Sequence, residues 1–114
     1  MTPLSAAIVI GALACTVAGQ LLFRGAALSA NAAGGFANPR SLLLFGTAIA
    51  LYGIMTMLWA HALRELPLSR AYPFMALSFL IIPIAEHFIY GQPWSWNAVV
   101  GGVVIIGGIV VTQL

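Results

Sequence analysis

Arg24 and Glu86 are the two charges of this sequence that fall inside long apolar runs, and they are opposite in sign. A guanidinium grips phosphate or carboxylate oxygens through a planar fork of donors, and a carboxylate accepts from an amine or a hydroxyl. Each stands about one turn before the end of its run, on the same side of a membrane. Two readings fit the pair. Either they satisfy one another and do nothing more, or one engages a charged ligand while the other compensates. In both cases, removing one strands the other's charge. Thr16, Gln20 and Arg24 are spaced by four, so they share one helix face. Polar groups on a lipid-crossing helix turn toward a bundle interior or a wet cavity, because hydrocarbon satisfies none of them. Gln20 with Arg24 therefore reads as cavity lining. Thr16 alone reads as a hydroxyl bonded back to its own helix.

The other groups with chemical potential are weaker. Tyr52, Thr56 and Trp59 form an aromatic stripe that reads as packing. His61 and His87 lie near membrane boundaries, and no cluster has metal-ligand spacing. Arg40 precedes the second apolar run.

Helices in lipid must position these side chains. The chain of 114 residues is 62% hydrophobic and 5% charged, with a mean hydropathy of +1.08. Soluble domains carry roughly 25% charged residues. A crossing helix takes about 20 apolar residues, so the length leaves room for four spans and no soluble catalytic or nucleotide-binding domain. The expected fold is an all-α integral membrane protein, a single domain with helices over about 4–28, 42–63, 71–90 and 97–113. The β-branched run Val99 to Val111 lacks the polar alternation of a membrane strand and reads as helix. A net charge of +2 gives no reason to expect nucleic acid, and the single Cys15 excludes a disulfide framework within the chain. Ala12-Leu13-Ala14-Cys15 faintly resembles a lipoprotein cleavage box. No Lys or Arg precedes it, so a cleaved leader is not expected.

Gly11, Cys15 and Gly19 make a small-residue stripe for close helix approach. Pro73 falls in the first turn of the third helix, and the interior Pro83 is a hinge candidate. Gly101 and Gly108 return to one face of the last helix and mark a candidate dimer interface. Trp94 and Trp96 anchor its start at headgroup level. Arg64 and Arg70 lie on one side of the membrane, Arg24 and Arg40 on the other. That tie sets no preferred side. It suggests a chain that inserts both ways and pairs as an antiparallel dimer, although a partner subunit's own bias would serve equally to fix the orientation.

From about Val17 to Val110 the order of motifs resembles the small multidrug resistance branch of the drug/metabolite transporter superfamily. More closely, it resembles the subunits that flip aminoarabinose-phosphoundecaprenol across the bacterial inner membrane. The residues that carry the likeness are Ala18-Gly19-Gln20, Trp59 and Leu63 ahead of Pro67-Leu68-Ser69, and Ala71-Tyr72-Pro73. Leu77-Ser78-Phe79, Gln92-Pro93, Gly101 and Ile106-Gly107-Gly108-Ile109-Val110 complete it. There are departures. Thr16 stands where drug exporters of that branch carry their helix-one carboxylate, Gln92 where the flippase-like subunits often have an acid, and Glu86 matches neither pattern.

The resemblance implies a small multidrug resistance-like bundle in the inner membrane, without cofactor or enzymatic activity. It would work by alternating access, as a homodimer or as a heterodimer with a paralogue. Its cargo would be a polyprenyl-phosphate-linked sugar or another amphipathic substrate, with the polyprenyl chain left in the surrounding lipid. Gln20, Arg24, Arg40, Tyr72, Ser78 and Glu86 are the substrate-binding candidates. Arg24 with Gln20 would meet the phosphate, Arg40 would attract the headgroup first, and Glu86 would meet an amine on the sugar. No Gly-rich phosphate loop is present, so the drive would come from a gradient or from product removal. Two other expectations stand beside this one: a cation exporter relying on Glu86, and a non-transporting accessory subunit of a membrane glycosyltransferase complex.

Overall fold

The computed structural model describes residues 2–114, which are mostly helical with no strand among them. Four stretches are long and apolar enough to cross a membrane. They are α1 (Pro3–Ala33), α2 (Pro39–Ala62), a third span divided into α3 (Leu68–Met75) and α4 (Ser78–Tyr90), and α5 (Trp96–Gln113).

Helix α1 continues past its expected end at Leu28. Nothing between Ser29 and Ala33 forbids a helix, and the stop is Gly34, whose φ of 82° is a conformation that glycine adopts freely. Its N–H closes the helix on the Ala30 carbonyl. Helix α2 starts earlier than expected because Asn38 caps it: Oδ1 accepts the Ser41 N–H at 2.9 Å, and Pro39 takes the first helical position. The third span is interrupted at Ala76–Leu77, while Pro83 lies inside the uninterrupted α4. Around the interruption the N–H groups of Ala76, Leu77, Phe79 and Leu80 reach three residues back, at 3.0 to 3.2 Å, the pattern of a tightened 3₁₀ turn.

α1 lies at the centre, packed along α2 on one side and against α3 and α4 on the other, and α5 covers α3 and α4. The result is a flat particle of 48 × 34 × 17 Å. In lipid, helices associate through close packing more than through hydrophobic burial, and glycine sets the closest approaches. A Cβ on Gly19 would lie 2.6 Å from Tyr52 Cε2, and one on Gly11 3.6 Å from Leu58 Cδ1, so two positions of the small-residue stripe form the α1–α2 seam. Between α5 and α4 the close approach is at Gly102, where a Cβ would come within 2.8 Å of Leu80 Cδ1. Gly101 and Gly108 face open space. At the end of the bundle nearest the 63–67 connector, Val9, Ala62, Leu66 and Ala71 form the core. Leu43, Met57 and Phe88 are each more than 70% exposed, as a surface facing acyl chains requires.

Candidate transport site

The face of α1 that carries Gln20 and Arg24 meets α4 at Glu86. Arg24 Nε lies 3.6 Å from Glu86 Oε2, close enough for an ion pair and too long for a hydrogen bond. The side chains are 43% and 26% exposed, so the pair is accessible on one flank. The extension of α1 corrects the expected depth. Glu86 is one turn from the end of α4, but Arg24 is nine residues inside α1. They meet because α4 stops short of where α1 stops.

Gln20 does not add its amide to the pair. Its Nε2 donates to the Tyr52 hydroxyl on α2, and the Tyr52 ring packs 5.5 Å from Phe23. Even so, Gln20, Phe23, Arg24, Ile82 and Glu86 line one hollow of about 330 Å³. Arg24 and Glu86 also line a second hollow, of about 290 Å³, which extends beneath the α4–α5 connector to Gln92, Trp94 and Ser95. The ion pair is thus the wall common to two hollows. A cation and an anion placed side by side in such a wall can exchange one another for the two ends of a zwitterionic ligand, with no net change in buried charge.

The remaining candidates lie elsewhere. Tyr72 and Ser78 line an apolar cavity of about 330 Å³ beside the α3–α4 interruption, together with Thr16, Trp59, Met75 and Phe79. Tyr72 meets Trp59 edge to face at 6.2 Å. Thr16 donates to the Ala12 carbonyl at 2.9 Å, the back-bond read for it in isolation. Arg40 borders a third hollow, of about 570 Å³, with Ser29, Asn38 and Tyr90. It has no ion-pair partner among the described residues.

Two residues matter that sequence reasoning passed over. Tyr52, read as packing, is the partner of Gln20. Tyr90, not singled out at all, donates its hydroxyl to the Leu21 carbonyl. That hydroxyl fills the space left by Gly25, where a Cβ would stand 2.7 Å away. The signal for Tyr90 was its place one helical turn after Glu86. The two side chains grip the same stretch of α1.

No solved structure gives a significant match. Sequence relatives do. A protein of Escherichia coli O45:K1 (strain S88 / ExPEC) named "Probable 4-amino-4-deoxy-L-arabinose-phosphoundecaprenol flippase subunit ArnE" is 33% identical over 96 residues, covering 84% of this chain and 85% of that one. The subunit of the same name from Serratia proteamaculans (strain 568) is 29% identical over 99 residues, 87% of this chain and 86% of its own. The corresponding ArnF subunit of Erwinia tasmaniensis is 33% identical over 76 residues, 65% of this chain. In that case the chain spans 58% of the relative's length. The profile of the EamA-like transporter family matches residues 3–114. With four helices long and apolar enough to cross a membrane and a family match over nearly its entire length, the chain belongs to the EamA-like transporter family and is a multi-pass membrane protein.

Proposed function

We propose that the chain is a flippase subunit of the bacterial inner membrane, which moves a polyprenyl-phosphate-linked amino sugar and works as a dimer by alternating access. The observation that carries this reading is the Arg24–Glu86 pair standing between two hollows. A headgroup of the kind named for the relatives has an anionic phosphate and a cationic amine. Arg24 takes the phosphate, Glu86 takes the amine, and the pair re-forms when the headgroup leaves. Charges exchanged inside a low-dielectric site attract far more strongly than in water, so the exchange favours a ligand carrying both signs.

Thr16, Gln20 and Arg24 recur about every 6 Å along α1, a polar track from the Tyr72–Ser78 cavity to the ion pair. Arg40, without an ion-pair partner among the described residues and beside its own hollow, is the first cation the phosphate meets on that side. Gly101 and Gly108, open on the outer face of α5, suit the seam with a second copy or a paralogue, and Pro83 is the flexing point of α4.

The test is flipping of 4-amino-4-deoxy-L-arabinose-phosphoundecaprenol in proteoliposomes, with the chain alone and with a paralogous subunit. Arg24→Ala is expected to lower the rate at least about tenfold, since it leaves the Glu86 charge without its partner. Arg24→Lys keeps the charge but loses the planar fork, and is expected to fall between the two. Wild-type flipping by Arg24→Ala would remove the main support for this reading.

A further inference from the structure

The hollow beneath the 91–95 connector has a composition that the charge exchange does not use. On one side of the ion pair it is lined by Trp94, Gln92 and Ser95, with Pro83, Ala98 and Val99 as apolar wall. Tryptophan near a membrane boundary is commonly a headgroup anchor, and Trp96, 70% exposed, fits that description. Trp94 differs. It is 39% exposed, and two rings meet it edge to face: His87 at 5.1 Å and 75°, and Trp96 at 5.7 Å and 80°. His87 is fixed in turn, with Nδ1 2.8 Å from the Gln92 carbonyl oxygen. The Gln92 N–H reaches back to the Glu86 carbonyl at 3.3 Å. The connector is therefore held to the last turn of α4, and the Trp94 ring has a fixed plane. Ser95 accepts the Ala98 N–H at 3.2 Å as the cap of α5, which leaves its own O–H free to donate.

An aromatic ring held in place beside a carboxylate, a carboxamide, a hydroxyl and a guanidinium suits a ligand with one apolar C–H face and a rim of polar groups. That is the chemistry of a monosaccharide. The volume agrees: about 290 Å³ lies just under the range of roughly 300–1,000 Å³ for drug-sized ligands, enough for one sugar ring.

We infer that this hollow is a monosaccharide subsite, which seats the sugar ring of the lipid headgroup on Trp94 while Glu86, Gln92 and Ser95 take its amine and hydroxyls. The inference rests on the flippase reading above and goes beyond it by locating the sugar. In the headgroup named for the relatives, phosphate and amine sit on opposite sides of a six-membered ring. Binding then draws Arg24 and Glu86 apart and places the ring between them, against Trp94. Selection is for the sugar, not for the polyprenyl phosphate that any such lipid shares.

The experiment measures binding of two lipids to the full chain in nanodiscs by native mass spectrometry: 4-amino-4-deoxy-L-arabinose-phosphoundecaprenol and undecaprenyl phosphate without sugar. Wild type is expected to prefer the sugar-bearing lipid about tenfold, the scale of a desolvated aromatic contact joined by a hydrogen bond. Trp94→Ala loses most of that preference and keeps its affinity for the bare lipid. Trp94→Phe retains a large part of the preference, and Trp96→Ala all of it. Arg24→Ala weakens both lipids. If Trp94→Ala does not fold, Gln92→Leu is expected to reduce the preference in the same direction. An unchanged preference in Trp94→Ala, or equal losses in Trp94→Ala and Trp96→Ala, overturns the sugar subsite and leaves the flippase reading standing. A wild-type chain that binds neither lipid overturns both.

Discussion

Gly101→Ala and Gly102→Ala alter neighbouring positions of α5 and are expected to move stability in opposite directions. Each gains the same helix-propensity benefit, roughly 0.5–1 kcal/mol over glycine. At Gly101 the new methyl enters open space within the monomer, so for the monomer only that gain remains. At Gly102 it would lie 2.8 Å from Leu80 Cδ1, 3.0 Å from Leu80 Cβ and 3.2 Å from Leu80 Cα. Carbon atoms prefer about 3.5–4.0 Å. A rotamer change can move Cδ1 away, but Cβ and Cα belong to the α4 framework and move only if the helices part. Overpacking of this kind costs about 1–3 kcal/mol. Because the propensity term cancels between the variants, their difference isolates the clash: Gly102→Ala is less stable than Gly101→Ala by about 1–3 kcal/mol. Unfolding in mixed micelles by SDS titration, followed by circular dichroism and tryptophan fluorescence, measures it. If the two unfold at the same SDS fraction, α5 does not approach α4 at Gly102, and the packing order described for this side of the bundle is refuted.

Gly25→Ala is expected to destabilise the α1–α4 contact, because its methyl would stand 2.7 Å from the Tyr90 hydroxyl. Tyr90→Phe in that background relieves the clash, since the nearest remaining ring atom lies at an ordinary 3.6 Å, but gives up the bond to the Leu21 carbonyl, so it recovers only part of the lost stability; a double-mutant cycle in the SDS assay reads the coupling. Asn38→Ala removes the α2 cap and its bond to the Gly35 carbonyl, at about 1 kcal/mol, and is expected to speed hydrogen exchange at Arg40 and Ser41 while leaving α5 unchanged. Replacing Gly101 and Gly108 together by leucine preserves the monomer's fold and weakens the proposed dimer, as read by crosslinking in membranes.

Hydropathy made the four crossings legible, because six charges among 114 residues leave no other solvent than lipid. Opposite signs inside apolar runs made the Arg24–Glu86 pair legible too, although α1 runs nine residues past Arg24 and not the expected single turn. Ser29-Ala30-Asn31 has the composition of a turn, but composition does not end a helix; the left-handed residue does, and that is Gly34. Pro73 and Pro83 were visible, yet the span tightens between them at Ala76–Leu77, which neither proline marks. The pairs Gly101-Gly102 and Gly107-Gly108 signal close helix contact, and periodicity groups Gly101 with Gly108, but neither says which glycine faces the neighbouring helix, and that one is Gly102. Likewise, the separation of Tyr72, Ser78 and Arg40 from the ion pair, and the turning of Gln20 toward Tyr52, depend on the register between helices. A single chain's pattern does not encode that register in any local form.

The length of α1 acts on the bilayer itself. With 31 residues, the helix measures about 46 Å, against a hydrocarbon thickness of about 30 Å. A helix of that length adjusts by tilting or by standing proud of the surface, at a fraction of a kcal/mol per Å of mismatch. Because α1 is also the helix on which α2, α3 and α4 pack, a tilt of α1 is a tilt of the whole bundle, and the plane of the bilayer is set for its neighbours by a helix too long to stand upright in it.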